Sequence, residues 1–166
     1  MVYKNELQVK KINEEVLPSF QFGHWELTKS RTKFNFFIIY RPPSIPGITL
    51  HIFCQEFCDN IVETASQLKN VVIVGDFNIH VNDKGNIQAQ HFVEMMNAFG
   101  FSQRVDGYTH NLGNTLDLVF VEEETDNMNS LLTDCKLGPF LSDHRFITFT
   151  LKLKEQLKMK QNIPKA

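Results

Sequence analysis

Gly75-Asp76-Phe77-Asn78 sets a carboxylate and a carboxamide two residues apart, directly after an apolar β-branched run. If the chain stays extended there, Asp76 and Asn78 project to one side and Phe77 to the other, into a core. A carboxylate so placed can hold a cation or a nucleophilic water, and an amide can donate to a phosphate oxygen. The same four residues also fit an ordinary Asx turn at the end of a strand. Leu141-Ser142-Asp143-His144 is a second candidate. Its adjacent carboxylate and imidazole can act as metal ligand, base or phosphate contact, because histidine changes charge near neutral pH. In isolation, a capped turn with a surface histidine is the simpler reading. The third is Asp117, set within Thr115-Leu116-Asp117-Leu118-Val119-Phe120-Val121. A carboxylate in such apolar company costs free energy unless it is paired. A histidine from elsewhere is its natural partner, held in one tautomer as in hydrolase triads. Alternation with Thr115 equally allows Asp117 a wet strand face. The preceding turn-like Thr109-His110-Asn111-Leu112-Gly113-Asn114 can contribute a loop on the substrate side.

Other potential ligands are weaker. His51, Cys54 and Cys58 share a helical face but have no fourth ligand nearby in sequence, and helical cysteines are usually buried small hydrophobes. His80 and His91 have no evident partners. Neither a glycine-rich phosphate loop nor a zinc-protease helix occurs.

Hydrophobic periodicity indicates what positions these groups. Residues 33–40 are β-branched and aromatic and stop at Pro42-Pro43, a strand feeding a rigid turn. Leu50, Phe53, Phe57, Ile61, Ala65 and Leu68 recur every three or four residues, which predicts an amphipathic helix. The run 71–74 suits a strand covered on both faces, and Gly75 lets the chain leave it tightly. Ala89, Phe92, Met95, Met96 and Phe99 form a second helical stripe, ended by Gly100. Strands are expected at 115–121 and 146–153. This order argues for an α/β fold with helices packed on sheets.

The 166 residues fit one domain, and 42% hydrophobic with 22% charged residues is ordinary globular composition. Fifteen phenylalanines against one tryptophan point to an aromatic-rich interior. The longest apolar runs are far too short to cross a bilayer. With no signal-peptide pattern at the N-terminus, the three cysteines are expected to be reduced and the chain intracellular, nuclear or cytoplasmic. A net charge of −2 argues against a strong generic nucleic-acid binder. Five lysines and one glutamate fall within 151–166, read as a solvated basic tail.

Taken in order, Tyr40-Arg41-Pro42-Pro43, Gly75-Asp76-Phe77-Asn78-Ile79-His80, Thr109-His110 through Thr115-Leu116-Asp117, and Leu141-Ser142-Asp143-His144 resemble the endonuclease/exonuclease/phosphatase superfamily. The resemblance is closest to the apurinic/apyrimidinic-endonuclease-like domain of non-LTR retrotransposons. It runs from about residue 2 to residue 153 and implies a two-sheet α/β sandwich flanked by helices, with residues 154–166 as the tail. It further implies Mg²⁺-assisted phosphodiester hydrolysis, with Mn²⁺ as a substitute metal and DNA as partner. On the family pattern, His144 contacts the scissile phosphate or transfers a proton, and Asp117 orients it. Asp76 positions the attacking water, Asn78 holds a phosphate oxygen, and Asp143 binds metal. Tyr40 and His110 face the substrate.

The family's opening segment supplies a metal-binding glutamate, whereas this chain is expected to begin inside the following strand, at Met1-Val2-Tyr3. Glu26 falls where the family has a structural strand and does not inherit that role. The expectation is therefore an N-terminally truncated domain of low or no activity alone, which self-associates or takes the missing segment from another chain. A catalytically dead binding module and a small-molecule or lipid phosphatase are the alternatives.

Overall fold

Three consecutive strands, β1 (Gln8–Val16), β2 (Gln21–Lys29) and β3 (Thr32–Tyr40), form an antiparallel meander. The computed structural model describes residues 7–122 and 131–152, so the expected strand at Met1-Val2-Tyr3 and the basic tail lie outside the described residues. After β3 a helical crossover returns the chain as β4 (Val71–Asp76), parallel to β3. Parallel neighbours require such a crossover. It consists of α1 (Leu50–Phe57), a π-helical turn (Cys58–Val62) and α2 (Glu63–Ser66). Next come α3 (Ile87–Ala98), β5 (Phe101–Gln103), β6 (Asp117–Glu122), β7 (Leu132–Phe140) and β8 (Arg145–Leu151). The first sheet has the order β1-β2-β3-β4-β6-β5, and β7 and β8 pair as a second sheet.

The expected α/β layering is observed. On one face of the first sheet, Phe53, Phe57, Ile61 and Ala65 of the crossover and Ala89, Phe92 and Met96 of α3 pack against Phe37, Ile39, Ile73 and Phe120. On the other face, Phe34, Phe36, Val72, Val119 and Val121 meet Leu132 and the half-buried Leu137, Ile147 and Phe149 of the second sheet. Alternating residues of β3, β4 and β6 thus supply two cores, as period-2 geometry requires. The phenylalanines form a continuous cluster on the helix side, with Phe57, Phe77, Phe92 and Phe120 at centroid spacings of 5.6–6.0 Å. Each such side chain, fully buried, stabilises the fold by about 1.5–3 kcal/mol.

Three expectations need adjustment. The first helix is interrupted: the π turn inserts a residue, so Ile61 and Val62 are both buried where a regular helix would bury one. The second helix ends at Ala98, with Gly100 in the left-handed conformation just beyond it, as anticipated, but Phe99 of its stripe is exposed. The strand expected at 115–121 begins only at Asp117. Strands β1, β2, β5 and β7 did not stand out in the sequence pattern. β1 in particular is exposed along nearly its whole length and carries Lys10, Lys11, Glu14 and Glu15, the charged composition that protects a sheet edge.

The β3–β4 pairing tolerates no side chain at residue 75. A Cβ on Gly75 would lie 1.9 Å from the Ile39 carbonyl oxygen. Gly75→Ala is therefore expected to push the strands apart at a cost on the order of 3 kcal/mol, lowering Tm by roughly 6–12 °C. Thermal unfolding measures this, and a variant that melts with the parent would show that the strands do not approach so closely.

Candidate active site

Pairing register brings three of the candidate residues side by side. Tyr40 of β3 is opposite Asp76 of β4, and Asp76 is opposite Asp117 of β6. Because directly opposed residues project to the same face, these side chains form a row at one end of the sheet. It is the face that the second sheet covers further along, so Asp117 lies on the inter-sheet side with Val119 and Val121 rather than on a wet outer face. Val74, Asp76, Asp117, Arg145, Ile147 and Phe149 line an open cleft of about 260 Å³ there.

Asp76 ends its strand, and the chain then turns. Phe77 is fully buried, as the sequence suggested. Asn78 does not continue the extended course: its φ is 48°, and its backbone N–H donates to Asp76 Oδ1 at 3.1 Å. The segment is thus both an Asx turn and a candidate site, and the two readings proposed from the sequence coexist. Asn78 Nδ2 donates to the Arg41 carbonyl at 2.8 Å, and the Asn78 side chain also acts on the Asp76 carboxylate, lowering its pKa.

His144 arrives from the turn between β7 and β8. Its Nδ1 is 2.8 Å from Asp117 Oδ2. A carboxylate only accepts, so Nδ1 carries the proton and Nε2 is left free for chemistry. The loop 109–114 holds both partners. Thr109, fully buried, accepts at Oγ1 from the backbone N–H groups of Leu116 (2.9 Å) and Asp117 (3.0 Å). The Thr109 carbonyl accepts from Arg145 N–H at 2.8 Å, and Asn111 N–H donates to the Asp143 carbonyl at 2.8 Å. His110 lies edge-on to His144, ring centroids 4.9 Å apart. His110 Nε2 is 3.7 Å from the exposed Asp143 carboxylate, and its Nδ1 accepts from Leu112 N–H at 3.2 Å.

Electrostatics follow from this crowding. Burial raises the Asp76 carboxyl above its usual range; the Asn78 N–H opposes that, and the neighbouring Asp117 charge reinforces it. For His144, burial alone would lower the pKa, but the hydrogen bond and charge of Asp117, with smaller contributions from Asp76 and Asp143, raise it overall. Hydrogen bonds from Ser142 and from its own backbone N–H hold Asp143 low, so it stays ionised. Ligand atoms of Asp76, Asp117 and His144 lie within 4.8 Å of one another, and so do those of His110, Asp143 and His144. The carboxylate oxygens suit a hard cation such as Mg²⁺, and the imidazoles suit softer transition metals.

All seven expected residues therefore fall at one end of the sheet, although Tyr40 and Asn78 belong to the cluster by register and turn geometry rather than by a direct contact with His144. Two organising residues carried no assignment from the sequence. Thr109 was visible only as part of a turn. Arg145, directly after the Asp143-His144 pair, lines the cleft with its guanidinium 4.5 Å over Phe140 and its buried Nε without a partner.

Removing the carboxylate that raises His144 should be directly visible. In metal-free Asp117→Asn, the His144 Cε1 proton is expected to titrate at lower pH than in the parent, where it titrates above the ordinary histidine value of about 6.5. Because the folded pKa is raised, the stabilisation is fully present below that value and is lost as pH rises through the folded pKa. The stability gap between parent and variant should narrow accordingly. Equal NMR titration curves would show that Asp117 and His144 are not coupled.

The fold is similar to that of the endonuclease domain of TRAS1, a telomere-specific non-LTR retrotransposon. The TM-score is 0.68 at 14% sequence identity, over 93% of this chain and 71% of that one. At that identity the likeness is one of fold alone. No curated protein sequence matches the chain. The family profile described as endonuclease-reverse transcriptase matches residues 34–148, well over half of the chain. That span holds Tyr40, Asp76, Asn78, His110, Asp117, Asp143 and His144, and enzymes of this nuclease type generally use a divalent metal. By this match, with the fold in agreement, the chain belongs to the endonuclease-reverse transcriptase family.

Proposed function

We propose that the chain is a retrotransposon-type endonuclease domain that hydrolyses phosphodiester bonds in DNA with the help of a divalent cation, slowly when alone. The observation that carries this reading is the Asp117–His144 hydrogen bond, 2.8 Å long, beside the half-buried Asp76. Asp117 fixes the imidazole with Nε2 outward. With its pKa raised, His144 is readily protonated, and Nε2–H can donate to a non-bridging phosphate oxygen. Asp76 Oδ1 accepts from the Asn78 backbone N–H, and a carboxyl raised by burial is the better base for orienting a water and taking its proton. That water attacks phosphorus as its proton passes to Asp76. The bond to the leaving oxygen breaks with its electron pair going to that oxygen, which takes a proton from water, while Asn78 and the Tyr40 hydroxyl steady the charge on the phosphate. Asp143, whose carboxylate lies with the His110 and His144 imidazoles, would help hold Mg²⁺, or Mn²⁺ in its place, which when bound polarises the phosphate.

Low activity follows from the donor set. Among the described residues, the candidate ligand groups contain only aspartates and histidines, with no glutamate, and Mg²⁺ gives up its waters reluctantly to a short set of carboxylates. The three cysteines are all unpaired, which supports work inside the cell, nuclear or cytoplasmic. Among the described residues no helix is long and apolar enough to cross a membrane. At the site's own end of the inter-sheet face, Ile38 and Tyr40 are exposed beside Trp25, around a cavity of about 250 Å³ that Glu14 and Glu15 also line. An exposed surface of this kind supports association with a second copy.

Three measurements bear on this reading. Isothermal titration should give weak Mg²⁺ binding, weaker still in Asp143→Ala; tight one-to-one binding that survives Asp143→Ala would overturn the ligand assignment. Mg²⁺-dependent nicking of duplex DNA should fall on the order of 10²–10⁴-fold in His144→Ala. Nicking at full rate in that variant would put catalysis elsewhere, and DNA binding without any nicking in the parent would favour a binding module. Sedimentation velocity should show concentration-dependent association that Ile38→Lys weakens, whereas a parent that stays monomeric would remove the association proposal.

A further inference from the structure

Arg41 ties the end of β3 to the turn that carries Asp76 and Asn78. Its backbone N–H donates to the Asp76 carbonyl at 2.8 Å, and its own carbonyl accepts from Asn78 Nδ2 at 2.8 Å. Its guanidinium reaches back as well: Nη1 donates to the carbonyls of Phe77 (3.3 Å) and Asn78 (3.1 Å). The group lies over the Phe53 ring of α1, 5.2 Å from the centroid, so a core aromatic fixes its height above the turn. Backbone and side chain of one residue thus bind three consecutive residues of the facing segment.

That clamp sits where the backbone needs help. Asn78 has a left-handed φ of 48°, a conformation that asparagine tolerates better than most side-chain-bearing residues but that local contacts must select over the extended one. The same conformation directs the Asn78 N–H to Asp76 Oδ1. Both bonds come from Nη1, while the buried Nε has no partner among the described residues. The rigid plane, stacked on an aromatic face, still fixes the direction of Nη1 as a freely rotating ammonium would not.

We propose that Arg41 is a positioning residue for the hydrolytic site: it holds Asn78 in the left-handed turn, and through the Asn78 N–H it fixes which oxygen of Asp76 faces the water. This rests on the hydrolase reading for its consequence, but not for its geometry. Tyr40 and Arg41 then divide the labour at the end of β3. Tyr40 points to the inter-sheet face with the site, and Arg41 points to the helix side and braces the site from behind.

The test uses the ¹⁵N-labelled full chain and the variants Arg41→Gln and Arg41→Lys. Exchange of the Asn78 backbone amide should accelerate on the order of tenfold in Arg41→Gln, the scale of losing a charged hydrogen bond, while the core-strand amides of Phe37 and Ile73 keep their rates. Arg41→Lys should fall between parent and Arg41→Gln. In nicking assays, kcat should drop by a similar factor with KM for duplex DNA unchanged. Unaltered Asn78 exchange in Arg41→Gln would overturn the proposal. So would an equal acceleration of all three amides in both variants, because Arg41 would then support the whole fold and not the turn. Should the parent fail to nick DNA, the proposed activity falls, and the exchange rates still decide whether Arg41 holds the turn.

Discussion

Two carboxylates, Asp76 and Asp117, stand directly opposite each other on adjacent strands, and like charges so placed repel. A sheet built only for stability would not contain this pair. Burial of Asp76 sharpens the conflict by penalising its charged form. The surrounding groups answer with the Asn78 N–H on Asp76 and the His144 imidazole on Asp117. Each is a donor aimed at negative charge, and the raised pKa of His144 reflects the same field seen from the other partner. Negative charge thus gathers beside a protonatable imidazole, the electrostatic arrangement on which the proposed function rests.

That arrangement depends on backbone geometry more than on side-chain packing. Gly75 allows β3 and β4 to approach closely enough to bring Tyr40 level with Asp76. Buried Thr109 receives two backbone N–H groups where β6 begins and, through its carbonyl, the N–H that follows His144. One threonine therefore sets the relative position of the Asp117–His144 pair, which comes from segments 27 residues apart. Beneath them the phenylalanine cluster and the helices supply a stiff base, since dense aromatic packing resists the small displacements that would lengthen these bonds. Apolar packing is thus concentrated behind the sheet, and polar bonding is concentrated at its end.

Much of this was legible in the sequence. The β-branched run at 71–74, the stripe from Leu50 to Ala65 and the stop at Gly100 are local signals, because burial of one strand or one helix face imposes a period on the residues that form it. The four motifs, taken in order, pointed to the family that the profile match shows, and they supplied the candidate residues that the fold gathers at one end of the sheet. What stayed hidden is the part that no period records. β1 has no buried face to generate a pattern, β7 is irregular in its pairing with β8, and the π turn is a local insertion that preserves the apolar composition around it.

The sequence by itself determined the family and the supply of groups, that is, which carboxylates, amides and imidazoles are available, and that Phe77 faces the core. Only the tertiary structure decided how they meet. Register, a property of two strands together, made Asp76 and Asp117 neighbours, and loop closure selected His144 rather than His110 as the partner of Asp117. Left-handed Asn78 fits its residue type, since asparagine tolerates that conformation, but the type alone did not select it over the extended course. The contacts that hold it come from Arg41, 37 positions away in the chain.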